Sequence, residues 1–344
     1  MAFPKASGYT NLNSGNFSPV IYSKKVQKAF RKSSVVEDIT NTDYSGDINS
    51  FGDSVKIIKE PDITISTYAR GTTLATQDLT DVDFTMVVDQ ANYFQFAMDD
   101  IEEAHSHVSF MDLATDRAGY KLRDEFDRDV LGYMSGYTWS GSAWAARTAA
   151  AGTKADAAAD ADELLAANKL KAGAFGGTSA NSIPVAAGGG TGAITSPLAI
   201  LNRIARQMDE ANVDTDSRYL VIDPVFAEIL MDEDSKLING DFGGAGELRN
   251  GKMPGTLRGF RIYKSNNLPY KGTGAGTSAA AGSTANFGVI VAGHDSAVAT
   301  AEQIAKTESF RSPETFADIV RGMQLYGRKV LRPEGLFTAN YNLA

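Results

Sequence analysis

The chain contains no cysteine, only three histidines and two tryptophans in 344 residues. Without cysteine there are no disulfides, no thiolate nucleophile and no Cys-based metal site, and the chain suits a reducing compartment without requiring one. Basic residues are also in short supply. The 33 Lys and Arg are outnumbered by 42 Asp and Glu, giving a net charge of -9 and a pI near 5.0. Wrapping nucleic acid needs clustered Lys and Arg to neutralise phosphates, so such wrapping is not expected. Long apolar runs are missing too, with nothing near the roughly 18 residues that span a bilayer. The opening MAFPKASGYTNLNSG carries no apolar export core, so a soluble, non-exported chain with no membrane partner is expected. The chain does have enough apolar material, 43% of its residues, for a sizeable core.

Residues 1 to about 17 lack periodicity and predict an extended arm; Ser18-Pro19 then opens a basic helix to about Ser33, carrying Lys24, Lys25, Lys28, Arg31 and Lys32. The period turns to two beyond "YSGDINSFGD". Val55 and Ile57, then Ile63, Ile65 and Thr67, and later Val82, Phe84, Met86 and Val88, alternate with more polar positions around a polar tip at about 70–80. This predicts a long hairpin. A lone two-stranded hairpin is marginal in water, and no third strand is evident nearby, so a neighbouring subunit is the expected support. From Asp99 the period becomes helical: Ile101, Ala104, Val108, Met111, Thr115, Ala118 and Leu122, with Phe126 and Val130 extending the stripe to about Ser135. Ten acids against four bases along it predict one long, acidic, solvated face.

Residues 140–192 are dominated by Ala and Gly and read as a low-complexity insertion or linker, with a short Ala-rich helix at 156–171. A compact α/β region follows: a helix from Ser196-Pro197 to about Ala211, the strand "RYLVI", a helix opening at Asp223-Pro224, and the strands "FRIYKS" and "FGVIVA". The tail alternates in "AVATAEQIAKTESF" and "ADIVRGMQLYGRKVL" around the turn "RSPET", which predicts a second long hairpin. The fold class expected is α+β.

The stretch "FAMDDIEEAHSH" crowds acids around two of the three histidines. On a helix His105 and His107 point about 200 degrees apart, so they do not chelate one ion together. Glu103 and His107 share a face, which makes only a weak two-ligand set. Asp99 with Glu102, and Asp100 with Glu103, match the spacing of a capping box, and first-turn acids suit the positive end of a helix dipole. Capping accounts for the cluster without chemistry. "GELRNGKM", 246–253, imitates a phosphate loop but puts Met253 where a magnesium-binding hydroxyl belongs and Pro254-Gly255 where a helix must begin. "GGGTGA" near Gly190 has no flanking strand. His294 lacks an activated serine, and neither G-x-S-x-G nor H-E-x-x-H occurs. No catalytic, cofactor-binding or metal-binding residue is assigned; a soluble metalloenzyme on the acidic helix is a remote alternative.

The order of arm, projecting hairpin, long helix, α/β region and closing hairpin resembles the major capsid proteins of tailed double-stranded DNA bacteriophages. "GDSVKIIKEPDITISTYARGTTLATQDLTDVDFTMVVDQANYFQFAMDDIEEAHS" is similar to that family's extended loop and the start of its spine helix. "RYLVIDPVFAEIL" and "GTLRGFRIYKSNNLP" are similar to its axial domain, and "FRSPETFADIVRGMQLYGRKVLRPEGL" to the strands of its peripheral domain. The resemblance implies an arm with basic helix at 1–50, an extended loop at 51–92, the spine helix at 93–139, the insertion at 140–192, an axial domain at 193–298 and the closing peripheral hairpin at 299–344. It also implies hexamers and pentamers of this chain in an icosahedral shell around the genome, assembled in the host bacterial cytoplasm. A separate scaffolding protein, a portal, possible decoration proteins and packaged DNA held without sequence specificity are the implied partners. Some relatives join subunits through a Lys in the extended loop; no Lys lies between Lys59 and Lys121, so no such bond is expected. Encapsulins, cellular shells around cargo enzymes, resemble the same fold and are the alternative reading.

Overall fold

The computed structural model describes residues 34–44, 54–59, 61, 63–71, 73, 76–78, 82–100, 110–146, 164–177, 182–186, 189, 194–232, 255–271 and 287–343. The expected arm and basic helix at 1–33 lie outside them. The elements run α1 (Val36–Ile39), β1 (Ser54–Lys59), β2 (Val82–Asp99), α2 (Phe110–Ser135), β3 (Tyr137–Trp139), β4 (Trp144–Ala146), β5 (Lys169–Leu170), β6 (Ile183–Val185), α3 (Pro197–Glu210), β7 (Arg218–Ile222), α4 (Pro224–Leu230), β8 (Thr256–Leu257), β9 (Phe260–Lys264), β10 (Tyr270–Lys271), β11 (Phe287–His294), β12 (Val298–Arg311), β13 (Ala317–Val330) and β14 (Leu336–Leu343).

They build two large sheets. The first has four strands in the order β1-β2-β13-β12. β12 and β13 form the closing hairpin, from Val298 opposite Val330 to Arg311 opposite Asp318, turning through the "RSPET" sequence as its turn chemistry predicts. β13 then runs antiparallel to β2, with Val320 opposite Phe96 and Met323 opposite Tyr93. The support expected of a neighbouring subunit is thus supplied in part by the hairpin's own chain. The partner comes from far along the sequence, beyond the reach of local pattern. β1 covers only the first part of β2, from Lys59 opposite Val82 to Ser54 opposite Val87. Ile63, Ile65 and Thr67 alternate as a strand would, yet no ladder forms there, because alternation sets up a strand only where another strand offers backbone partners.

The second sheet has the order β5-β14-β11-β7-β9-β8, with β10 beside β11 and β6 beside β14. β7, buried along its whole length, lies between antiparallel β11 and parallel β9. α3 starts as its sequence dictates: Ser196 Oγ accepts from Ala199 N, and Pro197 takes the first turn. α4 repeats the device with Asp223 and Pro224. The apolar stripe of α3, including Ile200, Leu201, Ile204 and Met208, packs with Leu220, Ile222, Ile290 and Phe337 in one core. A second core joins α1 and α2 to the two sheets through Val36, Ile39, Val130, Leu131, Met134, Val291 and Val330.

The stretch 164–185 is not wholly linker. Leu164, Leu170, Ile183 and Val185 are buried, and β5 and β6 pair in parallel with β14. Residues 166–170 form a 3-10 turn and a strand rather than the Ala-rich helix. Asp99 closes β2 and Asp100 is helical, one residue later than the expected helix start; 101–109 lie outside the described residues, beyond which α2 runs from Phe110. Finally, α2 is not uniformly wet on its acidic side: Asp124 and Asp127 are buried, at 7% and 0% exposure.

Candidate functional site

The exposed surface of the four-stranded sheet follows from its pleat. Along β2, residues 91, 93, 95, 97 and 99 are exposed, while 92, 94, 96 and 98 are covered to differing degrees. Tyr93 is 80% exposed and its partner Met323 42% exposed. Next to them Arg321 lies opposite both Gln95 on β2 and Glu308 on β12. A hollow of about 360 Å³ opens here, lined by Tyr93, Gln95, Lys306, Glu308, Arg321 and Met323 together with Phe94 and Gly322. Glycine at 322 is required by packing: a Cβ there would come within 2.6 Å of Phe94 Cζ.

The charges around this hollow are paired. Glu308 accepts from Arg321 Nη2 at 2.8 Å and forms an ion pair with Lys306. The hydrogen bonds from Lys306 and Arg321, reinforced by their charges, hold its carboxyl down at about 2. Arg321 also stacks on Phe310, its Cζ 4.9 Å from the ring centre. At the hairpin tip Ser312 Oγ accepts from the amides of Glu314 and Thr315, and Arg311 pairs with Asp100. Phe316 stands 78% exposed on this fixed turn.

The second exposed feature is the stretch beyond the paired base of β1 and β2. Every described residue from 61 to 78 is exposed. Ile63 at 64%, Ile65 at 94% and Tyr68 at 66% present apolar side chains to solvent. Such a run is costly to leave in water and marks a contact surface.

Beneath the sheet, charge is organised for anchoring. Asp129 of α2 accepts from Tyr326 Oη at 2.8 Å and pairs with Arg328. Burial lowers the Arg328 guanidinium to about 10, against the attraction of Asp89. These groups fix helix to sheet and leave no reactive proton poised over a cleft.

The sequence-flagged residues stand as follows. Glu103, His105 and His107 lie outside the described residues, as does "GELRNGKM". His294 Nδ1 lies 2.8 Å from Ser296 Oγ and accepts from Ser296 N at 3.2 Å, capping the 3-10 turn that follows. The adjacent Asp295 is engaged by Arg261, at 2.6 Å, instead of orienting the imidazole. That geometry is a turn cap rather than a nucleophile relay. Among the described residues no three His, Asp or Glu come together as a metal site, and no helix is long and apolar enough to cross a membrane. The hollow and its charged rim are not legible in the sequence, because they are assembled from β2, β12 and β13, with β2 far from the other two along the chain.

A family model described as phage capsid protein matches residues 63–339. The chain belongs to the phage capsid protein family. It is a structural major capsid protein. No curated protein matches the chain. Among solved structures, that of Mycobacterium phage Che8 superposes with a TM-score of 0.67 at 24% identity, covering 94% of this chain and 97% of that one. The capsid structure of cyanophage P-SCSP1u gives 0.65 at 20% identity, with all of both chains covered. The mature capsid of bacteriophage PhiM1 gives 0.62 at 18%, covering 96% and 93%. At these identities the likeness speaks for the fold, and the capsid protein has the α+β fold of tailed-phage capsid subunits.

Proposed function

We propose that the capsid protein assembles with copies of itself, as hexamers and pentamers, into an icosahedral shell that encloses double-stranded DNA, and that it has no catalytic role. The observation that carries this reading is the pair of exposed surfaces on one subunit: the apolar run Ile63, Ile65 and Tyr68, and the hollow between β2, β13 and β12. The first is a projection in need of cover and the second a recess able to give it, so a neighbouring subunit satisfies both. The same reading extends to the rest of the chain. Residues 1–50 serve as arm, 51–92 as extended loop, α2 (Phe110–Ser135) as spine helix, 193–298 as axial domain and 299–344 as closing hairpin. A scaffolding protein and a portal act with it in the host cytoplasm, and its acidic balance leaves DNA unbound by sequence. No subunit cross-link forms through the tip of the extended loop, since no Lys lies between Lys59 and Lys121.

The test is negative-stain microscopy of the purified chain and of an Ile65→Asp, Tyr68→Asp variant. Closed shells are expected from the first, and folded but unassembled subunits from the second. A double variant that still closes shells at the same yield overturns the assignment of the projection to a neighbour.

A further inference from the structure

Asn267 stands between two carboxylates of α2. Its amide nitrogen donates to Asp124 Oδ1 at 2.9 Å and to Asp127 Oδ2 at 3.1 Å. All three side chains are closed off from water, Asn267 at 2% exposure. Asp124 and Asp127 lie one helical turn apart and so share a face of α2. Both are acceptor-only when ionised, and an amide offers two hydrogens in one plane, so this contact also fixes which way the amide points.

Each carboxylate has a second commitment. Asp127 Oδ1 accepts from Val35 N at 2.9 Å, Val36 N at 3.0 Å and Ser34 Oγ at 3.2 Å. Asp124 Oδ2 accepts from Arg128 Nη2 at 3.2 Å. The segment held by Asp127 continues to Asn41, which pairs with Ala299 of β12. Asn267 itself follows β9 and is seated by its own amide N–H on Ser265 Oγ, with Ser265 N bonded to Ile222 O of β7. One side-chain amide therefore ties the four-stranded sheet, the long helix and the eight-stranded sheet at a single buried point.

We propose that Asn267 is the positioning residue that sets the eight-stranded sheet against α2 and the four-stranded sheet, and that this setting selects one shell curvature. The proposal rests on the reading that the protein forms closed shells. Apolar faces tolerate small slides, because one well-packed arrangement resembles the next. A bridged pair of buried carboxylates does not: any slide that withdraws the amide takes one donor from both carboxylates at once, away from water. Closure is sensitive to that constraint, since the rotation between successive subunits decides whether and at what size an assembly closes.

The test compares particles made by the full chain and its variants in the same cells, with a scaffolding protein supplied to all of them if the unaltered chain requires one. Asn267→Leu removes both donors, Asn267→Ser keeps one, and Ile290→Val weakens the eight-stranded sheet's buried core without touching the joint. The unaltered chain and Ile290→Val are expected to give one diameter, Asn267→Ser a broadened distribution, and Asn267→Leu mixed diameters or open sheets. Asn267→Ser decides the matter if Asn267→Leu does not fold. The joint is overturned if both Asn267 variants give the single diameter, or if Ile290→Val scatters as much as Asn267→Ser at a similar melting temperature. An unaltered chain that forms no closed shell overturns the assembly reading instead, and this inference with it.

Discussion

The Tyr341 hydroxyl lies 2.5 Å from both carboxylate oxygens of Asp223 and donates to them, joining strand β14 to the start of α4. Asp223 also caps that helix by accepting from Phe226 N at 3.1 Å. Burial pushes the Asp223 carboxyl up, against the hydrogen bonds from Tyr341 and Phe226 that pull it down. Burial, and the Asp223 charge after it, push the Tyr341 phenol far above its ordinary range.

A carboxyl raised in the folded state keeps its proton where the unfolded chain has lost it. Its contribution to stability is full below the unfolded value of 3.8 and is lost as pH rises through the folded value. Asp223→Asn retains the cap and removes this titration. Calorimetry across that window is expected to show the melting temperature of the variant gaining on the unaltered protein as pH rises; a constant gap assigns the dependence elsewhere. Tyr341→Phe leaves the buried carboxylate without its hydroxyl and is expected to cost about 1–3 kcal/mol.

Glu308 behaves in the opposite sense. Lys306 and Arg321 hold its carboxyl at about 2, below the usual 4.5, so the stability it brings is present above 4.5 and is lost as pH falls towards 2. Because the cluster is at the surface, salt weakens it. A carboxyl-detected NMR titration should find Glu308 the late-protonating carboxylate of this face at low salt, moving up in Arg321→Gln; an ordinary value in the unaltered chain refutes the clamp.

Gly322 tests packing across the four-stranded sheet. With a Cβ 2.6 Å from Phe94 Cζ, the ring must leave its stacked position beside Phe96, where the centroids are 6.1 Å apart. Gly322→Ala is expected to destabilise by about 1–3 kcal/mol, as overpacking does, despite the gain in strand propensity. Combining it with Phe94→Leu should recover part of the loss in urea unfolding; an additive double variant would place the strain elsewhere.

Gly132 makes the same contest inside a helix. Alanine is ordinarily favoured there by about 1 kcal/mol. Here a Cβ would meet the Tyr137 carbonyl oxygen and Trp144 Cζ3, each at 2.8 Å. The carbonyl is backbone and has little room to retreat, so the clash is expected to win and Gly132→Ala to lower the melting temperature. Trp144 is one of only two tryptophans, so intrinsic fluorescence should shift with it; an unchanged spectrum and a raised melting temperature would show that propensity prevails.

Local signals served well where the physics is local. Ser196-Pro197 and Asp223-Pro224 mark helix starts because cap and proline act within one turn, and both helices begin there. The closing hairpin was legible because its alternation and its turn adjoin. Long-range pairings were not. β5 and β6 are two and three residues long, inside Ala- and Gly-rich sequence, and exist because β14 lies alongside. β14 itself was absorbed into the reading of the tail. The acids of α2 look like a solvated face by composition, yet the donors that bury Asp124 and Asp127 come from Asn267 and from Val35 and Val36. The projection was recognised as needing support, but the strand that supplies part of it, β13, is more than two hundred residues downstream.

β13 and β14 follow β2 and β11 along the chain, and that order turns synthesis into a timer. β2 leaves the ribosome long before β13 exists to pair with it, and β11 precedes β14, its neighbour in the second sheet. Neither sheet can close until these strands are made, and contacts of such long separation form late and slowly. A nascent subunit therefore presents unfinished edges until then, and Met323 and Arg321 come to lie beside Tyr93 only once β13 has been made. A chain cut short before β13 lacks the strand that joins β2 to β12.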